Sequence, residues 1–273
     1  MNYNINKEIN VIVDSRGNLI EGDFSKLTLP RVYETFGEHN DQWELIKQLE
    51  FGAPGQTNPR DGVTTIDPET WESGYSSINR NYIHTPNQKQ WYYTYIDGQG
   101  QATGCSPTAA SNIMAYWASN GYSKLDPTRN QRDIVMALRT HMNTYQSSNG
   151  EGTTAPGDIA RGLQSYASEK LGKGPLTIYS RNLNLAGFDS YKEQINAGRP
   201  ALQSYWNQSY FGDHTVTVVG YKQFLNRLGG TTARYLVVKN NFINETHGNM
   251  YVKWGTWNTN VMTAFYPDGN LDW

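Results

Sequence analysis

Cysteine is almost absent: the 273-residue chain holds one, Cys105. A single cysteine excludes an internal disulfide framework and any zinc site built from several thiolates. Basic runs are missing as well. With 23 Lys and Arg against 25 Asp and Glu, the formal net charge is -2, and no cationic cluster or stripe offers a nucleic-acid footprint. No apolar run approaches the roughly 20 residues of a membrane helix. Met1–Lys7 has no basic-then-apolar signal segment, so the expectation is a chain made without one or one that begins after it. Hydrophobic residues are lean at 37%, and 19 Tyr and 8 Trp offset this with large apolar area and a polar handle each. Low charge with abundant Tyr, Asn, Gly, Ser and Thr leans toward an exported bacterial protein, with a cytoplasmic one as the alternative.

What is present divides into two parts. Ile9, Val11 and Val13, the turn Asp14–Asn18 and then Leu19–Ile20 read as a small hairpin. Asn40 is placed to cap a short helix with Trp43, Ile46 and Leu49 on one face. Gly52–Pro68 is rich in Gly, Pro, Asn, Asp and Thr and reads as a loop or linker. A boundary is therefore expected near residue 75, with an N-terminal segment over 1–74 and a larger domain over 75–273.

The second part is more regular. Ser106 as N-cap and Pro107 as first helical residue would open a helix carrying Ala109, Ile113, Met114 and Trp117, closed by Asn120-Gly121. A second helix is expected from Asp126-Pro127 through Ile134, Leu138 and Met142, and a third from Pro156 to about Gly172. Strands are expected at Leu176–Tyr179, Ala201–Trp206, Thr215–Tyr221, Tyr235–Lys239, Met250–Trp254 and Val261–Tyr266, with a short helix at Ser190–Ala197. Helices first and strands after give an α+β layout.

Cys105 precedes that first helix, so unpaired N–H groups point back at its sulfur and favour the thiolate, as a nearby imidazolium would. Five histidines compete for the second role: His39, His84, His141, His214 and His247. His39 lies in the N-terminal segment, His84 in a loop-like stretch, His141 on a helix beside Arg139 where a solvent-facing role is expected, and His247 in a turn. His214 alone opens an apolar strand after a Gly-Asp turn, where a rigid element can hold it. An imidazole needs an orienter, and Asn240 at the end of Tyr235–Lys239 can supply one, with Asn241 as rival. A tetrahedral intermediate needs donors: the Cys105 N–H is one, and Gln99 or Gln101 can supply another.

Gln99-Gly100, Gly104-Cys105, His214-Thr-Val-Thr-Val-Val-Gly220-Tyr221 and Val238-Lys239-Asn240 resemble the papain-like cysteine peptidases. The opening Gly104-Cys105-Ser106-Pro107-Thr108-Ala109 is more similar to bacterial double-glycine-peptidase-like domains and, more distantly, to streptopain; Gly152–Leu163 resembles the former too. In that family the oxyanion Gln stands six residues before the nucleophile, which selects Gln99, and the Asn follows a Lys, which selects Asn240. The resemblance covers roughly 75–266. It implies a helical part carrying Cys105 packed on a twisted antiparallel sheet carrying His214 and Asn240. It also implies a peptide or protein substrate, an acyl-enzyme intermediate and no metal or organic cofactor. The chain departs from papain in lacking the first Cys and the Trp of Cys-Gly-Ser-Cys-Trp. After Asn240 it has Asn241-Phe242 where the family often has Ser-Trp, so an aromatic remains to shield the His–Asn bond. Acyl transfer or amide hydrolysis shares the same first step. A dead scaffold used for binding is opposed by all four positions being filled. Residues 1–74 are expected either to cover the cleft, as leading segments of such enzymes do, or to form an accessory layer.

Overall fold

The computed structural model describes residues 62–94, 100–146, 151–184, 186–208, 210–242, 248–256 and 260–269, with the strand backbone at 3–6, 9–13 and 19–21. The helix expected at Asn40–Leu49 and the first part of the Gly52–Pro68 loop lie outside these residues. Strands β1 (Tyr3–Asn6), β2 (Ile9–Val13) and β3 (Leu19–Glu21) pair in a small antiparallel sheet.

The elements of the main body follow in chain order. β4 (Val63–Thr64), β5 (Ser77–Tyr82), β6 (Tyr92–Thr94) and β7 (Gly100–Ala102) lead into helix α1 (Cys105–Ser119). Helix α2 (Gln131–His141) follows, then β8 (Tyr145–Gln146), β9 (Gly152–Thr153) and helix α3 (Pro156–Leu171). After β10 (Tyr179–Asn184) and helix α4 (Phe188–Asn196) come β11 (Ala201–Gln208), β12 (Gly212–Leu225), β13 (Thr231–Lys239), β14 (Met250–Lys253) and β15 (Asn260–Tyr266). The main sheet runs β10-β15-β11-β12-β13-β14-β4, with β5 beside the second half of β12, and every pair is antiparallel. The layout is the α+β one expected, with the cysteine helix packed on the sheet. Val63–Thr64 joins that sheet through β14, so the sheet begins ahead of residue 75.

Local chemistry explains most boundaries. Pro156 occupies the first turn of α3, where its missing N–H costs nothing. Gly172 ends that helix at φ 63, a conformation glycine adopts freely. Asn130 caps α2 by accepting from the Arg132 N–H at 3.2 Å. Three expectations need correction. Helix α2 starts at Gln131 rather than at Asp126-Pro127, because Asn130 is its cap. Helix α1 begins at Cys105 rather than Pro107, with Gly104 at the cap position, and the Ser106 hydroxyl turns to Thr215 instead of capping. Leu176 is not in a strand: Pro175 fixes a 3-10 turn over Pro175–Thr177, and the strand starts only at Tyr179.

Burial then fixes the layers. On α1, Ala109, Ala110, Ile113, Met114 and Trp117 face α2, α3 and Leu202. On the other face of the sheet, Phe188, Tyr191 and Ile195 of α4 cover Val216, Val218, Tyr221 and Leu236. Full burial of each such aliphatic or aromatic side chain contributes about 1.5–3 kcal/mol. In β12 the partner of Val218 is Val238, but the partner of Gly220 is Val237, so Val219 is the extra residue of a bulge. The bulge changes the phase of alternation, which is why Tyr221 rather than Gly220 shares a core with Val216 and Val218. No helix among the described residues is long and apolar enough to cross a membrane.

Candidate active site

The turn before Cys105 is held from three sides. Gly104 has φ 89, and a Cβ there would lie 2.6 Å from the Gly152 carbonyl oxygen. Only glycine fits a left-handed position against a neighbouring backbone. The Thr108 hydroxyl donates to the Gly104 carbonyl at 2.7 Å. Arg139, fully buried on α2, donates from Nη1 to the carbonyls of Thr103 at 2.6 Å and Ala102 at 3.3 Å.

The sulfur follows at the first helical position, where N–H groups lack intrahelical partners. Its neighbours are Ser106, whose hydroxyl is 3.9 Å away, and Thr215, whose N–H and hydroxyl both face it. The Ser106 and Thr215 hydroxyls are 2.9 Å apart, and Ser204 completes the chain at 3.0 Å from Thr215. Burial pushes the Cys105 thiol up, against the donors of Thr215 and Ser106, which favour the thiolate. Cys105 is thus a partly exposed residue whose sulfur environment disfavours charge.

His214 is the third residue of β12, next in the chain to the Thr215 that touches the thiol. Its ring lies near parallel to Phe211, centroids 5.7 Å apart, and 4.4 Å from the Phe242 ring. Nε2 lies 2.5 Å from the backbone oxygen of Asn240. A carbonyl only accepts, so Nε2 carries the proton and Nδ1 keeps its lone pair. Burial lowers the His214 pKa to about 4, the Asn240 carbonyl opposing it. At neutral pH the imidazole is uncharged.

Two expectations change here. The thiol and the imidazole form no direct hydrogen bond among the described residues; the sulfur rests on Thr215. The Asn240 main chain, not its side chain, meets His214. Its Oδ1 accepts from the Phe242 N–H at 3.1 Å, and its Nδ2 lies 2.7 Å from Met250 Sδ. The Phe242 ring covers the histidine as the resemblance implies.

Cys105 thus opens α1 and His214 stands near the start of β12, joined through Thr215, which is next to His214 in the chain and touches the sulfur. The family model described as Peptidase_C39 like family matches residues 81–259. The chain belongs to the Peptidase_C39 like family. This places it in the papain-like cysteine peptidase superfamily, related to the double-glycine peptidases, and carries a peptidase-type chemistry. No curated protein matches the chain. The matched stretch holds Cys105, His214 and Asn240, and the four described helices.

In this Peptidase_C39 like chain Gln99, expected in the oxyanion hole, lies outside the described residues, as do His39 and His247. Gln101 is in β7. His84 packs edge-on against Tyr82, 4.8 Å between centroids. His141 is not simply solvent-facing: its Nδ1 is 2.9 Å from the Ser165 hydroxyl and its Nε2 is 3.2 Å from Glu169. Among the described residues no group of three or more His, Cys, Asp or Glu side chains is placed to hold a metal ion. A cavity of about 630 Å³ lies at β5, β12 and β14, lined by Asp67, Glu69, Lys222, Tyr221, Tyr251 and His84 among others. Its charges pair with one another, Lys222 Nζ standing 2.6 Å from both oxygens of Asp67 and also bound by Glu69.

Sequence reasoning missed Arg139, Asn112 and the role of Asn241. Arg139 had a signal: it sits four residues after Val135 and three before Met142, on the apolar face of an amphipathic helix. Asn112 is a polar residue amid the buried run of α1. Asn241 is fully buried at φ 60 and hydrogen-bonded to Asn112, which no local pattern announces.

Proposed function

We propose that the chain is a cysteine peptidase that cleaves peptide bonds through Cys105 and His214. This reading requires the Cys105 sulfur to leave Thr215 and reach His214. The thiol proton passes to Nδ1 as sulfur adds to the peptide carbonyl carbon. The Cys105 N–H, with Gln99, holds the resulting oxyanion. The tetrahedral adduct collapses to a thioester as the imidazolium gives its proton to the leaving amine. Water then adds to the thioester with His214 again taking a proton, and the thiol is regenerated as the carboxylic acid leaves. Asn240 orients the base through its carbonyl.

The observation that carries this reading is the Nε2–H bond from His214 to the Asn240 carbonyl, which leaves the lone pair on Nδ1, in a residue next in the chain to the Thr215 that touches the thiol. An epoxide thiol-protease inhibitor is expected to label Cys105, detected by mass spectrometry of the digested chain. Cys105→Ala and His214→Ala are each expected to abolish peptide hydrolysis while preserving the fold, because the two groups act as a unit. Retention of most turnover in either variant overturns the assignment. Transfer of the acyl group to an added amine without detectable hydrolysis would make the chain an acyltransferase instead.

The described residues ahead of residue 75 support an accessory layer. Asp67 and Glu69 hold Lys222, seven residues along β12 from Thr215, which is roughly 20 Å of strand. Glu72 accepts from the Tyr235 hydroxyl.

A further inference from the structure

We propose that Asn112 and Asn241 are a positioning pair for the base: Asn112 clamps Asn241, and the clamped Asn241 holds the Asn240 carbonyl on His214 Nε2–H. This rests on the peptidase reading of Cys105 and His214.

Asn112 lies seven residues after Cys105 on α1, two turns along the same face. All four hydrogen-bonding positions of its amide are used. Oδ1 accepts from the Gln88 N–H at 2.8 Å and from Gln131 Nε2 at 2.6 Å. Nδ2 donates to Thr217 Oγ1 at 3.1 Å and to Asn241 Oδ1 at 2.8 Å. A backbone N–H only donates, so the atom facing Gln88 must be the oxygen, and the orientation of the amide is settled by its partner. One side chain therefore ties the cysteine helix to the histidine strand at Thr217 and to the end of β13 at Asn241.

The mechanical link to His214 is covalent. The Asn240 carbonyl and the Asn241 N–H belong to one planar peptide unit. That unit can swing only through ψ of Asn240 and φ of Asn241. Asn241 is held at φ 60 by its side chain on Asn112 and by its own carbonyl, which accepts from the Gln90 N–H at 3.0 Å. Beyond it, the Phe242 N–H is fixed on Asn240 Oδ1. The Asn240 oxygen is thereby aimed at Nε2. Asn241 is a costly residue for a purely structural purpose. It is fully buried in a left-handed conformation, and its Nδ2 has no partner among the described residues. Its oxygen is the part in use.

The pair fixes which ring nitrogen holds the proton, and so which one is free to take a proton from the thiol. The test uses the full chain with Asn112→Ala and Asn241→Gly. Glycine keeps the positive φ available and removes only the clamp. The nitrogen-15 signals of the His214 ring, assigned with His214→Gln, are read at pH 7 alongside kcat and KM for a peptide. Wild type is expected to show Nε2 protonated and Nδ1 bare. In Asn241→Gly both nitrogens are expected to move toward averaged values, with kcat falling about tenfold or more and KM within about twofold, since orientation rather than binding is lost. Should Asn112→Ala fail to fold, Asn241→Gly decides. A folded Asn241→Gly with the wild-type ring signature and kcat overturns the pairing. A wild-type ring protonated on Nδ1, or iodoacetamide labelling of Cys105 unaltered by His214→Gln, overturns the peptidase reading itself.

Discussion

Removing the buried guanidinium beneath Cys105 should cost stability and, on the proposed mechanism, turnover. Arg139 is fully buried, and its Nη1 holds the carbonyls of Thr103 and Ala102, two and three residues before Cys105. Arg139→Met keeps most of the volume and deletes the donors. A hydrogen bond to a charged donor is worth about 1.5–3 kcal/mol net, so the two contribute about 3–6 kcal/mol. That is a large share of the roughly 5–15 kcal/mol that separates folded from unfolded domains. The freed carbonyls also unseat the turn carrying Gly104 and Cys105, and a shift of the nucleophile by about 1 Å costs on the order of a hundredfold in rate. The assay is urea unfolding at 25 °C with peptide turnover measured in parallel. Arg139→Lys serves as the milder variant, since an ammonium keeps the charge and loses the planar fork. A loss below about 1 kcal/mol in Arg139→Met, with turnover unchanged, would refute the reasoning.

Four further outcomes are expected. Gly152→Ala would place a Cβ 2.6 Å from the Ala102 oxygen, 2.6 Å from Arg139 Nη1 and 2.8 Å from the Gly104 nitrogen, and so should lower the thermal midpoint and turnover together. Gly187→Ala, with nothing within 4 Å, should change neither. His214 should make the fold acid-sensitive: its pKa falls from 6.5 when unfolded to about 4 when folded, so its contribution is full above about pH 6.5 and is lost as pH falls toward 4. That loss amounts to about 3 kcal/mol, and urea unfolding at pH 4.5 and 7 should show a shallower pH slope in His214→Gln. Lys222→Met should leave Asp67 and Glu69 without their shared cation, speeding proteolysis within residues 62–74 while peptide turnover holds; faster turnover would instead show that the segment restrains the site.

Much of the scaffold was legible because its signals are local. Pro156 and Gly172 bracket α3, the apolar residues of α1 recur at helical spacing, and β12 announces itself by Val216, Val218 and Val219. Cys105 and His214 stood out because a lone thiol before a helix and a histidine opening a strand are both visible in a few residues. What was not legible depends on contacts across the chain. Whether the main chain or the side chain of Asn240 meets His214 is decided by the peptide plane, which Asn241 sets through Asn112, 129 residues away. The role of Arg139 was not legible because its acceptors are backbone carbonyls, which no side-chain pattern reports. Leu176 misled because its apolar character suits a strand, whereas Pro175 turns the chain and leaves Leu176 exposed.

The electrostatics of the pair follow from the same packing that orients it. Phe211 and Phe242 fix the His214 ring and also take water away from it, so the neutral imidazole is favoured. Burial acts alike on Cys105 and favours the neutral thiol. A resting thiolate–imidazolium pair is therefore disfavoured on both sides. Yet the donors that suit an anion are in place, in the N–H groups of Ser106 and Thr215 at the start of α1 and β12. What the site lacks at neutral pH is the cation, which in the proposed mechanism His214 becomes by taking the thiol proton. In that mechanism charge separation waits until the sulfur leaves Thr215 and meets Nδ1. The proposed nucleophile then forms at the moment of attack, and between turnovers Cys105 rests as an uncharged thiol.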